Sequence, residues 1–374
     1  GGSAAKYVRT GRLVYAAGGA LRAVHFDLTR LDVIGDPVPI VEHVMIGNTG
    51  AANYAISTNG TLVFVPGSAL NVANTRRMVW VDRGGHEEPL AAPPKPYGVV
   101  RISPDGTRIA VDVRDQEGDI WVWDIAHQTS TRLTFDPSTD QHPVWTPDSR
   151  RIVFTSVREG AANLYWHYAD NTGRDERLTT SANLQGSHSI TPDGKYILGF
   201  EVFPKTVPDV MRWPIDGGPG EAIVQTPFAE FGAEVSPDGR YIAYQSNESG
   251  PFQIYVRPYP DTNGGHWQIS SAGGMRAAWA RSGRELFFTD LTDTLMSVAV
   301  QTSGPGFSFG NPVKVFDAKY AMPTAFRSYD LTADGKRFLM LKQGDENDKK
   351  TSTPPGLIVV ENWFEELKAR VPAR

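Results

Sequence analysis

A four-residue turn recurs along this chain at nearly constant spacing. "STNG" ends at Gly60, "SPDG" at Gly106, "TPDS" at Ser149, "TPDG" at Gly194, "SPDG" at Gly239, "ARSG" at Gly283 and "TADG" at Gly335, with a degenerate "RTG" ending at Gly11. The steps between these landmarks are 49, 46, 43, 45, 45, 44 and 52 residues. In the fullest copies Pro presets the first turn angle, Asp bonds its own backbone and Gly accepts positive φ, which makes each a tight hairpin turn. Ser149 stands where the others carry Gly, and a left-handed non-glycine residue costs on the order of 1–2 kcal/mol.

Strand patterns flank every landmark. Second strands follow the turns ("TRIAVDV", "RIVFTSV", "YIAYQ", "RFLML"), then third strands ("MVWVDR", "DIWVWDI", "NLYWHYA", "FQIYVRP") and fourth strands ("TRLTFD", "ERLTTS", "HWQISS"). They are rich in β-branched and aromatic residues, as a pleated, half-buried surface requires. Units of about 40–50 residues with four short antiparallel strands match propeller blades. Such a sheet cannot bury both faces alone, and stacking sheets radially does bury them. The chain is therefore expected to be all-β: a single β-propeller domain over residues 1–374, with eight blades, or seven if the terminal units merge. N- and C-terminal strands close the ring, with "LIVVEN" as either the third strand of the last blade or the missing inner strand of the first, and a short helix follows over 363–370.

Composition narrows the function. A net charge of -5 and the absence of a basic run argue against a nucleic-acid surface. No apolar run approaches the roughly 18–20 residues of a membrane helix. Zero cysteines exclude a disulfide scaffold and thiolate chemistry. There is no signal peptide in this chain, and its start, "GGSAAKYV", reads as an added leader remnant; periplasmic, extracellular and cytoplasmic locations in a bacterium stay open. There is no Gly-x-Ser-x-Gly nucleophile elbow.

The "(S/T)PDG" repeats after "VW" or "EV", as in "PVWTPDSRRIVF" and "AEVSPDGRYIAY", resemble the TolB-like, or WD-like, propeller repeats. "VWDI" at Val122 to Ile125 contains Trp-Asp, but the Gly-His partner dipeptide of true WD repeats is missing. With "GRLVYAAGGALRAVHFDLTRLDVIGDPVPIVE" and the closing "LIVVENW", the chain also resembles the C-terminal propeller regions of bacterial serine/threonine protein kinases. The resemblance implies a monomeric sensor or binding module whose ligand is a protein, a peptide or a small molecule, with no nucleic acid and no membrane insertion.

The innermost strand of each blade precedes its landmark turn and borders the central channel. Counting back from the turns places Arg101, Arg276, Tyr54 and Tyr329 among the channel candidates. The same count brings His142, His188, Glu234 and Asp330 from different blades toward one mouth. Two chemistries follow. The charges pair across blades and close the ring, since buried charges are normally paired. Alternatively the two imidazoles and two carboxylates hold a divalent cation (Ca, Mn or Zn), which could activate water for ester, lactone or phosphotriester hydrolysis. No cofactor is otherwise implied. His25 and His167 read as sheet-face residues, and His43, His86, His127 and His266 as strand-end or loop residues.

Overall fold

The computed structural model describes residues 3–17, 20–42, 44, 52–66, 75–115, 118–203, 207–304, 306–317, 319–344 and 357–371. His43 and most of the polar loop "QGDENDKKTSTPPG" lie outside them. The described residues form eight antiparallel sheets, as many as there are landmarks. Where one ring is expected, internal contacts group them into two compact units, Arg76–Gln343 and Gly1–Thr75 with Gly344–Arg374.

The larger unit holds six sheets, here called blades 1 to 6. Blade 1 runs Tyr97–Ile102, Arg108–Val113, Asp119–Asp124, Thr129–Arg132, and blade 2 runs Asp140–Trp145, Arg151–Ser156, Asn163–Tyr168, Glu176–Arg177. Blade 3 is Leu184–Ile190, Tyr196–Val202, Pro208–Pro214, Glu221–Val224, and blade 4 is Glu230–Val235, Tyr241–Ser246, Gln253–Pro258, Trp267–Gln268. Blade 5 is Met275–Trp279, Glu285–Thr289 and Leu295–Gln301, the last pairing with both Ser308–Phe309 and Val313–Phe316. Blade 6 joins the two ends of the unit: Asp330–Leu331 and Arg337–Gln343 continue into Arg76–Asp82 and Glu87–Pro89.

Period-two alternation sends successive residues of each second strand to opposite neighbours. Leu339 and Leu341 pack with Ile109 and Val111 of blade 1, whereas Phe338 and Met340 pack with Phe287 and Leu295 of blade 5. Ala110 meets Ile152 and Phe154; Val153 meets Ile197; Leu198 meets Ile242 and Tyr244; Ala243 meets Leu286 and Phe288. Six apolar clusters are thus shared between six pairs of neighbouring sheets, and the circle closes. Closure corrects two strand assignments. "MVWVDR" is the third strand of the Gly335 sheet, not of the Gly60 sheet. Ile358–Val360 of "LIVVEN" pairs with Leu62–Phe64, which pairs with Tyr54–Ile56, so it is the third strand of the Gly60 sheet in the smaller unit and belongs neither to the last sheet nor to the first.

The smaller unit also contains the four-stranded sheet Ser3–Val8, Arg12–Ala17, Ala20–Asp27, Asp32–Val41. Helix α1 spans Trp363–Arg370, as expected, and buries Trp363, Phe364 and Leu367 in a core with Val14, Leu21 and Leu62.

The landmark turns have the expected chemistry. The Ser103 hydroxyl donates to Asp105 at 2.5 Å and accepts the Arg108 N–H at 2.9 Å. The same lock recurs at Thr146–Asp148, Thr191–Asp193, Ser236–Asp238 and Thr332–Asp334. Ser149 does adopt the left-handed conformation, at φ 60°. Its hydroxyl accepts the Asp105 N–H at 3.1 Å, so a bond between blades offsets the strain and a glycine there would forfeit it. Gly239 has φ +74° and open space where a Cβ would project, so backbone strain alone decides the effect of substitution. Gly239→Val is expected to cost about 1–2 kcal/mol more than Gly239→Asn, which tolerates this region. Urea unfolding of the two variants checks it, and equal stabilities would refute the turn assignment.

Candidate functional site

The inner strands of the ring are not regular. Their ladders with the second strands skip between Gln141 and Val144, Ser187 and Ser189, Phe231 and Glu234, and Met275 and Ala278. His142, Gly232 and Arg276 sit in these bulges with φ of 56°, 70° and 60°. A bulge re-aims its side chain and leaves an amide without a ladder partner. The preceding blade supplies each acceptor. Asp112 accepts the His142 N–H at 3.3 Å, Thr155 the Ser187 N–H at 3.1 Å and Gln245 the Arg276 N–H at 2.8 Å. All three acceptors are the fifth residue of a second strand. In blade 3 that position is Phe200, which cannot accept, and His188 takes over: its Nδ1 receives the Gly232 N–H at 3.0 Å. The indoles of Trp145 and Trp279 add further links, donating to the Arg101 and Glu234 carbonyls at 2.9 and 3.0 Å.

Six elements converge on the axis. Arg101, His142, His188, Glu234 and Arg276 come from blades 1 to 5 and line one narrow space with Phe326 and Arg327, which precede blade 6. These last two residues occupy its centre. The Phe326 ring lies 4.2 Å from His142, 5.3 Å from His188, 5.6 Å from Phe200 and 5.9 Å from Phe231, centroid to centroid. Arg327 bonds Glu234 at 3.0 Å and stands 3.7 Å from Asp330. Arg101 donates to the Arg327 carbonyl at 2.8 Å. Arg276 donates to the Thr324 carbonyl through Nε at 3.1 Å and Nη2 at 2.8 Å, and pairs with Asp293 at 2.8 Å.

Burial sets the protonation states. It holds the His142 imidazole down at about 4 and drives His188 well below the ordinary histidine value. It lowers Arg101 to about 10, with Arg327 adding to the effect, and leaves it charged at neutral pH. Burial also works against Arg327, but Glu234 and Asp330 outweigh it and raise that guanidinium. Glu234 is pushed up by the same burial, against the pull of Arg327.

The four residues expected to hold a cation do approach the channel, yet they do not form a donor set. Arg327 engages both carboxylates, His188 engages a backbone amide, and His142 packs against Phe326 with the rings tilted by 57°. Among the described residues no group of three or more His, Cys, Asp and Glu side chains is placed to hold a metal. The residues therefore do not fit a divalent ion in this arrangement. Of the other candidates, Tyr329 is wholly buried and donates to the Arg276 carbonyl at 2.8 Å. Tyr54 belongs to the smaller unit, where its hydroxyl bonds the Val14 carbonyl at 3.1 Å. Phe326 and Arg327 escaped the count from the turns because they lie ahead of a two-residue inner strand. The sequence held one signal of them, the 52-residue final step.

A family model described as "TolB beta propeller domain" matches residues 84–206. The ring is a TolB-like β-propeller. A TolB structure from Agrobacterium tumefaciens superposes with a TM-score of 0.57 at 18% identity, covering 72% of this chain and 99% of that one. This likeness is one of fold. An uncharacterized protein of Agrobacterium fabrum is 29% identical over 238 residues, 58% of this chain and 77% of its own length. The uncharacterized peptidase YuxL of Bacillus subtilis is 30% identical over 105 residues, which are 26% of this chain and 16% of that protein.

Two tests follow from the TolB-like channel. His142 stays neutral in the native state down to about pH 4, whereas the unfolded chain protonates near 6.5. The unfolded state binds more protons between these values, so stability falls as pH falls through that window. Wild type is expected to lose roughly 2–3 kcal/mol more than His142→Gln between pH 7 and pH 4.5, read from urea unfolding; equal losses would refute a buried neutral imidazole. His188→Ala leaves the Gly232 N–H without its acceptor, at about 1–3 kcal/mol. Adding Phe200→Gln should recover part of that loss by restoring the acceptor of the other blades, and a purely additive double variant would count against the bulge contact.

Proposed function

We propose that this protein is a non-catalytic binding propeller that takes a protein or peptide partner at the turn-side mouth of the ring. The observation that carries this reading is the division of the channel. Its deep polar groups are engaged by segment 324–330, while a cavity of about 160 Å³ remains at the turn-side ends of the inner strands. Trp145, Ile190 and Trp279 wall this cavity, Arg281 stands exposed at it, and Arg101 and Arg327 lie at its base. A few placed polar groups in a partly apolar concavity are what orients a ligand.

The charges favour an acidic group on the partner. Arg327 is matched by Glu234 and Asp330, whereas the bonds of Arg101 go to the Val100 and Arg327 carbonyls. Arg101 has no carboxylate within ion-pair distance among the described residues. A partner carboxylate would meet Arg101 and Arg281 together, with bidentate geometry open to it. The hydrolase alternative has no observation in its favour, because His142, His188, Glu234 and Asp330 form no metal-holding group among the described residues. No helix among the described residues is long and apolar enough to cross a membrane.

The test is peptide selection from a defined library followed by calorimetry. Selected peptides are expected to be enriched in Asp and Glu, to weaken at least tenfold with Arg281→Glu, and to weaken with added salt. EDTA-sensitive hydrolysis of a nitrophenyl ester or a phosphotriester, lost on His142→Ala, would overturn the reading.

A further inference from the structure

Segment 324–327 enters the channel as a ligand would. The connection from Val313–Phe316 to Asp330–Leu331 has thirteen residues, whereas the other five such connections in the ring have five to seven. It forms no helix or strand between 319 and 329. Its ends are fixed: the Ala321 N–H donates to the Leu341 carbonyl at 2.6 Å, and Tyr329 is anchored by its hydroxyl on Arg276. Between these points the inner strand of blade 6 is replaced by a loop that bows into the channel. No sheet ladder holds Thr324 to Arg327 there.

What holds them is recognition of a peptide. Arg276 grips the Thr324 carbonyl with two N–H groups and Arg101 grips the Arg327 carbonyl. These contacts read main chain and ask nothing of the side chains. Between them lie two selective subsites. One is the aromatic box of His142, His188, Phe200 and Phe231 around Phe326, and the other is the carboxylate pair Glu234 and Asp330 around Arg327. Removal of the segment would leave Glu234 and Asp330, both largely buried, without the ion pairs that Arg327 supplies, an arrangement that favours a replacement cation.

We propose that the channel is a built site for an extended peptide carrying an aromatic residue followed by arginine, and that segment 324–327 is its displaceable internal ligand. The loop closes the channel in the resting protein. A partner segment with the same aromatic–arginine pair competes for it and enters when the loop bows out. This rests on the ring being a binding module, but it is read with an aromatic–arginine peptide rather than an acidic one, so the two readings fail separately.

The experiment compares the full chain with its Phe326→Ala/Arg327→Ala variant, using a fluorescein-labelled Thr-Ala-Phe-Arg-Ser peptide and anisotropy. The variant is expected to bind at least tenfold more tightly than wild type, where the internal segment competes. A control peptide with Ala in place of Phe and Arg should not bind. If the variant does not fold alone, refolding with the peptide is expected to restore a cooperative thermal transition. A folded variant that binds no more tightly than wild type, or an unfolded one that the peptide fails to restore, overturns the proposal. Weakened binding of acidic peptides by Arg281→Glu would then still support the mouth reading.

Discussion

A sheet of four short strands covers neither of its own faces. Each sheet between Arg76 and Gln343 is covered on both only because the first and last strands of the unit are made into one blade. The seven-residue ladder between Arg337–Gln343 and Arg76–Asp82 performs that joining. It places Leu339 and Leu341 against blade 1 and Phe338 and Met340 against blade 5. Every other apolar interface in the ring is a copy of this one, with different side chains.

Closing a ring brings inner strands together at an axis where water is scarce and polar groups must find partners within the protein. The bulges meet this constraint for the backbone. Each displaced amide is accepted by a side chain of the preceding blade, so blades are tied by hydrogen bonds as well as by apolar contact. Phe200 breaks the pattern, and His188 compensates. An imidazole that looks like a metal ligand in the sequence is therefore a backbone acceptor, and burial keeps it neutral for that task.

The charges on the axis obey the same constraint. Arg101, Arg276, Arg327, Glu234 and Asp330 share a confined space, where Arg327 is matched by Glu234 and Asp330, Arg276 by Asp293, and Arg101 by backbone carbonyls. A cross-blade ion pair is present, but its cation is Arg327, which the count from the turns missed; among the described residues neither Arg101 nor Arg276 pairs with Glu234 or Asp330. The long last connection turns the centre of the ring from an open channel into a filled one, and leaves the turn-side mouth as the concave surface with room for a partner.

The sequence by itself determined the repeat, the turns and the strands. "SPDG" with alternating apolar flanks encodes a hairpin locally, because Ser103, Asp105 and Gly106 satisfy and shape one another within four residues. It also determined the helix at 363–370 and brought the channel residues of blades 1 to 5 onto inner strands, five to seven residues ahead of each turn's last residue. What the tertiary structure alone decided is which strands share a sheet at the ends of the ring, and what fills the axis. "MVWVDR" pairs across more than 250 residues with "RFLML", and no local pattern carries that choice. Phe326 and Arg327 have no strand periodicity to mark them. Their position follows from carboxylates and aromatic rings on other blades, which meet only once the ring has closed.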